Sequence, residues 1–369
     1  MNKNQSTIKV NIIFVLMKNA RSYLFLVISL FLFNGALNAQ DIHFSQYYLS
    51  PLTQNPSLTG SFSELYRFSA IYRNQWYSVS NQPFQTGAIS YDVALKEDKY
   101  ILKGSTASEK NYFAYGGILF YDRSGLGKLS NLTIMGSGAY QLYLNKYNRL
   151  SFGLQAGISQ RKIDYSQLLV NNQYNNGSGS FDPTLPSNES FNNNQILYAN
   201  AHLGMGYTKS FKNQKNKLFV GAAYFNLLKP KESFLNTANQ LQPRYTSYLA
   251  FDHYVDAKKY WRILVNFQTQ NKAQEYNLGF LKSYKIASTT YFIWGTQMRL
   301  SLSNSNWDAL IPHFGIKYAN WRMGFSYDLN LSSLRKASQV QGGFEIALLY
   351  AFGSPKKYVF NLYGPFNSM

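Results

Sequence analysis

From about residue 62 to 352 the chain alternates apolar and polar positions with a period of two. In 342–352, Phe344, Ile346, Leu348, Tyr350 and Phe352 interleave with Gly343, Glu345, Ala347, Leu349 and Ala351. Successive side chains of a strand point to opposite faces, so one face of this stretch is wholly apolar and aromatic. Just upstream, Trp321, Met323, Phe325, Tyr327, Leu329 and Leu331 share one face, and Arg322, Gly324, Ser326, Asp328 and Asn330 the other. The pattern recurs over 150–159, 261–268 and 292–302. The segments run about 9–12 residues, the length at which a tilted strand crosses a bilayer, and exceed the ~5–6 residues of most soluble strands. Fourteen such segments are expected, near 63–73, 84–95, 112–123, 130–143, 148–161, 195–208, 217–228, 244–255, 260–270, 274–283, 289–302, 309–318, 321–331 and 342–352. The expected fold is all-β: a transmembrane antiparallel outer-membrane β-barrel of about 14 strands.

Parity gives an orientation. With an even strand count both ends of the barrel lie on one side, expected to be the periplasm. The longest connection, 162–194, then falls outside the cell, as does 229–243, while 144–147, 256–259 and 319–320 are short inner turns. The 162–194 loop is rich in Asn, Ser and Gly, a composition that cannot bury a core. Ahead of the barrel, Lys18 and Arg21 precede an apolar run from Tyr23 to Phe33, and Leu37-Asn38-Ala39 ends on a small residue before Gln40. This is the pattern of a secretory signal peptide, shorter than a spanning helix, with cleavage expected between Ala39 and Gln40. The chain therefore divides into an extension and leader over 1–39, a periplasmic or lumenal segment over 40–61, the barrel over 62–352 and a periplasmic tail over 353–369. The mature protein is expected in the cell outer membrane as a multi-pass barrel in contact with lipid.

Composition narrows the function. Aromatics reach 17% while charged residues stop at 14%, well below the usual quarter of a soluble domain. There is no cysteine, which removes disulfide frameworks and thiolate chemistry. The net charge of +19 is scattered over turn-like stretches such as Lys209, Lys212, Lys215 and Lys217. No basic helix accompanies them, so an anionic envelope surface or acidic partner fits better than nucleic acid. The four histidines, His43, His202, His253 and His313, lie far apart, and HExxH, GxSxG and P-loop motifs are absent. No enzyme, metal site or cofactor is expected. Asp92, Asp122, Asp252 and Asp328 each follow a Tyr or Phe near a strand end and are expected at the rim.

Residues 41–60, Asp-Ile-His-Phe-Ser-Gln-Tyr-Tyr-Leu-Ser-Pro-Leu-Thr-Gln-Asn-Pro-Ser-Leu-Thr-Gly, resemble the N-terminal signature of the PorP/SprF family. Arg73, Asn74, Gln75 and Trp76 resemble its second signature. Tyr327-Asp328 with Asn330 and Ser332, then Gly342-Gly343-Phe344-Glu345-Ile346, resemble its closing hairpin. Asp41-Ile42 departs from the family's common Asp-Pro. The resemblance implies an outer-membrane component of the type IX secretion system of Bacteroidetes, supporting export and surface anchoring of cargo such as gliding adhesins. It implies periplasmic ring components and a large surface adhesin or other cargo as partners. The residues alone leave open an outer-membrane channel for small molecules.

The 41–60 segment does not alternate like a strand. Phe44, Tyr47, Tyr48, Pro51, Asn55 and Pro56 make it a candidate for partner docking or for plugging the lumen, since aromatics supply contact area and proline lowers ordering entropy. By strand parity Arg67, Arg73, Arg299, Lys317, Arg322, Asp328 and Glu345 face the lumen. They line a permeation path, or they pair inside the barrel.

Overall fold

The computed structural model describes residues 44–360, apart from 78–81, 98, 103–109, 126, 189–192, 213–214, 235–238, 302–305, 333–334, 337 and 356. The expected leader, its cleavage point between Ala39 and Gln40, and His43 lie outside the described residues. Fourteen strands form the wall. They are β1 (Tyr66–Gln75), β2 (Phe84–Ala94), β3 (Tyr112–Ser124), β4 (Leu129–Asn145) and β5 (Asn148–Lys162). Next come β6 (Gln195–Ser210), β7 (Asn216–Phe225), β8 (Arg244–Tyr254), β9 (Lys259–Gln270) and β10 (Ala273–Lys285). The last four are β11 (Thr290–Ser301), β12 (Asn306–Tyr318), β13 (Trp321–Asn330) and β14 (Gln341–Phe352). Each pairs antiparallel with its sequence neighbours, and β1 closes on β14 from Tyr66↔Phe352 to Gln75↔Gly343. All fourteen expected segments are strands, with ends shifted by a few residues. No helix among the described residues is long and apolar enough to cross a membrane.

The alternation decides which face is which. Phe325 (43% exposed) and Ile346 (53%) project outward, while Ser326, Asp328, Glu345 and Ala347 on the same strands are buried inside. So broad an exposed apolar wall is sustainable only against lipid. Aromatic rings stack along it where the barrel begins and ends: Trp321 on Tyr350, Tyr350 on Phe352, and Tyr66 on Phe352. That end, the near mouth, carries the turns β4–β5, β8–β9 and β12–β13; the far mouth carries the long loops. The 162–194 loop is partly built, with a small hairpin pairing Tyr174–Asn175 with Ser180–Phe181. The tail after β14 is not wholly free: Lys357–Phe360 pairs in parallel with Lys99–Leu102 of the β2–β3 connection.

The segment ahead of β1 lies within the barrel. It is three successive short turns, a 3-10 turn at Tyr47–Leu49, a helical turn α1 (Pro51–Gln54) and a 3-10 turn at Pro56–Leu58. Pro51 and Pro56 each open a turn, where a missing N–H costs nothing and φ is already set. The Asn55 side chain caps the last turn by accepting from the Ser57 amide. Ser45, Gln46, Leu52, Asn55, Ser57 and Thr59 have at most trace exposure. We call 44–60 the plug, a name for its position inside the barrel alone.

Candidate functional site

The plug is held by inward side chains from strands all round the wall. Its first fixed point is at the level of Arg73, on the far side of the lumen's middle. The backbone amides of Ser45 and Gln46 donate to the two oxygens of Glu345, at 2.8 and 2.9 Å. Arg73 donates to Glu345 and, at 2.7 Å, to Asp328. Arg299 donates to the same Asp328 oxygen and, at 2.6 Å, to Asp308. Both guanidinium groups also reach Ser45 Oγ, at 3.2 and 3.3 Å. Register shifts at Arg299/Leu300 and Asp328/Leu329 fall beside two members of this cluster. Bulges of this kind re-aim a side chain. All four charges, Arg73, Arg299, Asp328 and Glu345, are at most 4% exposed. Buried ions persist only when paired and hydrogen-bonded, and here the plug backbone supplies part of that pairing.

The second fixed point is near the plug's end. Asp92 accepts from the Gly60 amide at 2.7 Å and, in a two-pronged contact, from Arg67, which also donates to Leu58 O at 2.9 Å. Glutamines and asparagines satisfy the turns in between. Gln141 donates to Ser57 O and Thr59 O, and Gln155 to Leu52 O. Asn55 donates to the carbonyls of Met205 and Ala222, Gln54 to Asn266. The wall also yields space. A Cβ on Gly153 would stand 2.3 Å from Pro56, and one on Gly204 2.0 Å from Asn55 Oδ1. At these two positions the backbone of the wall approaches the plug too closely for any side chain.

Apolar packing completes the hold. Phe44, Leu49 and Leu52 pack with Ile71, Ala88, Ile118, Met135, Ala347, Leu349 and Ala351, and Phe44 meets Phe120 edge-on. Tyr47 packs with Leu264 and Leu281. Tyr48 is half-buried, its hydroxyl 3.4 Å from His313 Nδ1.

Of the sequence-derived candidates, Phe44, Tyr47, Pro51, Asn55 and Pro56 are buried in the plug, Tyr47 and Pro51 with an edge toward the near mouth. Arg67, Arg73, Arg299, Asp328 and Glu345 converge on it. Lys317 and Arg322 also point inward but lie toward the near mouth, away from the Arg73 cluster. In the Arg73–Trp76 motif the residues part company. Arg73 points in; Asn74 faces out and bonds Tyr72; the Trp76 amide donates to Gly342 O at 2.7 Å, tying β1 to the start of β14. Asp92, Asp122, Asp252 and Asp328 do not mark the rim as expected. All four are buried in the lumen, Asp92, Asp252 and Asp328 beside arginines and Asp122 accepting from Thr86. Gln141, Gln155, Gly153 and Gly204 were invisible as functional positions, because nothing in a polar-face residue announces a partner a hundred residues away.

Below the plug the near mouth opens into a cavity of about 940 Å³. Tyr47, Tyr48, Pro51 and Leu58 form its floor, and Tyr112, Tyr143, Arg149, Lys217, Tyr248 and Arg322 are among its walls. At its edge Lys110 pairs with Glu97, whose hydrogen bond and charge raise the ammonium above its ordinary value. Among the described residues no cluster of three potential metal ligands occurs.

A family profile described as type IX secretion system membrane protein PorP/SprF matches residues 36–350. No curated protein matches the sequence. Among solved structures, the chain resembles a Pseudomonas aeruginosa FadL homologue (TM-score 0.47, 9% identity, 81% of this chain and 93% of that one). It also resembles the Ralstonia pickettii toluene transporter TbuX (0.44, 12%, 82% and 93%) and the beta domain of the Bordetella autotransporter BrkA (0.37, 9%, 79% and 100%).

Proposed function

The chain belongs to the PorP/SprF family of type IX secretion system membrane proteins, and from that premise we propose that it is a non-catalytic outer-membrane subunit supporting export and surface anchoring of secreted cargo, gliding adhesins among them. The observation that carries this reading is where the lumen's charges go. Arg67, Arg73, Arg299, Asp92, Asp328 and Glu345 are buried against one another and against the plug. A diffusion channel needs its polar groups facing a water-filled path. Here they build a rigid interior, and rigid elements are what a docking subunit needs to present loops and mouths in fixed positions. In this reading the leader is removed between Ala39 and Gln40 and the near mouth faces the periplasm. That side meets ring components, and the far loops meet cargo at the cell surface.

The test uses the full-length protein purified from native membranes in mild detergent. Periplasmic ring components or a cargo's C-terminal region should co-purify, and the protein alone should be silent in a planar bilayer. Steady conductance with no co-purifying partner would instead make it a small-molecule channel. The triple variant Phe44→Ala, Tyr47→Ala, Tyr48→Ala separates the plug's roles. Lost cargo display with an inserted barrel makes the plug part of the docking scaffold, whereas raised antibiotic permeability with display intact makes it a stopper.

A further inference from the structure

We propose that the near-mouth cavity is a receptor for an extended acidic peptide segment, with one carboxylate seated on Arg149 and another drawn to Arg322 and Lys217. This rests on the reading above that the protein works through protein partners; it adds where one of them enters and what chemistry it carries.

Charge selects the ligand. Eight basic side chains line the cavity against three acidic ones. Three of the eight are neutralised: Arg67 by Asp92, Arg262 by Asp252 and Lys110 by Glu97. Among the described residues Arg149, Lys217 and Arg322 form no ion pair with a carboxylate. Arg149 is the most finely placed. Its guanidinium donates to Ser61 Oγ at 2.7 Å, Tyr112 Oη at 3.3 Å and Thr208 Oγ1 at 3.4 Å. It lies 5.7 Å over the Tyr143 ring, and its Nε–H is buried without a partner. Neutral oxygens thus fix the fork in space and leave its charge unanswered. A planar, pre-positioned guanidinium is the group that recognises a carboxylate best. Lys217 sits 5.8 Å over Tyr254. The surrounding tyrosine faces offer flat contact area for apolar or aromatic side chains lying between the carboxylates.

The same mouth favours a polypeptide over an anionic glycan or lipid headgroup. The parallel pair Lys99–Leu102 and Lys357–Phe360 springs from chain that lines the cavity, at Glu97 on one side and Pro355 on the other. It is a two-stranded sheet with no third strand among the described residues. Parallel pairing is the weaker kind, and a two-stranded sheet in water is marginal alone. An extended peptide completes it by strand addition; a glycan has no amide ladder to add. The volume, at the upper end of the ~300–1,000 Å³ of ligand pockets, opens toward the mouth, so a bound segment continues outward into its parent protein.

The test is fluorescence anisotropy on the full-length barrel in detergent micelles. The probe is a fluorescein-labelled decapeptide of alternating Glu and Phe; its Gln/Phe counterpart and alginate oligomers serve as comparisons. The Glu peptide should bind at least about ten-fold more tightly than the Gln peptide, the worth of one or two charge-assisted contacts. Its affinity should fall as salt screens the site. Arg149→Gln should weaken it about ten-fold. Because Arg149 also holds Ser61 and Tyr112, the rim variant Arg322→Gln/Lys217→Gln, with heat-modifiability on gels as the folding control, should weaken it several-fold by itself. Equal affinity for both peptides, or an unchanged affinity in the folded rim variant, overturns the proposal. So does alginate displacing the Glu peptide at lower concentration than unlabelled Glu peptide does. Co-purification of secretion partners with a barrel that fails to bind the Glu peptide overturns this inference and leaves the reading above standing.

Discussion

Ser45 and Glu345, 300 positions apart in sequence, are joined by a backbone amide donating to a carboxylate at 2.8 Å. The bond links the plug's beginning to the last strand of the wall. Glu345 also takes the Gln46 amide and an Arg73 guanidinium N–H, so one carboxylate holds the plug and the β1–β14 closure together.

Removing that carboxylate should free the plug. Glu345→Ala leaves two buried amides without acceptors and deprives Arg73 of a counter-ion, a loss of about 3–5 kcal/mol for a broken buried pair. We expect the variant to insert and remain heat-modifiable on gels, while the 44–60 segment becomes cleavable by protease in detergent. Resistance equal to wild type would show that the other fixed point, at Asp92 and Gly60, suffices alone.

The glycine cradle gives a steric version of the same test. Gly153→Val should displace Pro56, since a side chain there has nowhere to go, whereas Gly117→Ala, whose Cβ would meet only Met135 O at 3.7 Å, should be tolerated. Overpacking of this kind costs about 1–3 kcal/mol or more. Hydrogen exchange of plug amides reads the difference; similar protection in both variants would refute the cradle.

Lipid exposure predicts a depth-dependent penalty on the outer face. Phe325→Arg and Ile346→Arg should each destabilise assembly by about 2–4 kcal/mol if near the bilayer midplane. Arg322→Gln, at the open near mouth, should change little. Urea titration of folded protein in vesicles measures both, and indistinguishable midpoints would contradict the assigned faces.

Topology can be checked on intact cells. A tag at Gly177, in the small far-loop hairpin, should be labelled by a membrane-impermeant reagent, and a tag after Met369 should not. Labelling of the second tag on sealed cells would invert the orientation.

The wall was legible because lipid enforces its own rule: every outward position from Trp321 to Leu331 must be apolar, and that requirement prints a period of two. The interior obeys no such local rule. Asp92 and Asp328 follow tyrosines near strand ends, which suggested a rim, yet their partners Arg67 and Arg73 lie 25 and 255 positions away. Ala347 and Ser326 simply alternate with the apolar face in sequence, and nothing local shows that Ala347 joins the apolar cluster of Phe44 and Leu52 or that Ser326 is fully buried. The aromatics and prolines of 44–60 did mark that segment as special. What they could not reveal was that Gln141, Gln155, Gly153 and Gly204 were shaped to receive it.

The pairing of Ser45 and Gln46 with Glu345 also dictates an order of events. The plug is synthesised before the wall, but its acceptor lies in β14, the last strand of the wall to be made. Until β14 is in place, the plug amides and Arg73 lack the carboxylate that completes their bonding, and a contact spanning nearly the whole chain is slow to form by its nature. A barrel stalled short of its final strand therefore keeps an unlatched, protease-sensitive amino-terminal segment. Completion of the last strand is registered at Ser45 and Gln46, near the other end of the chain, which makes the plug a built-in inspector of finished assembly.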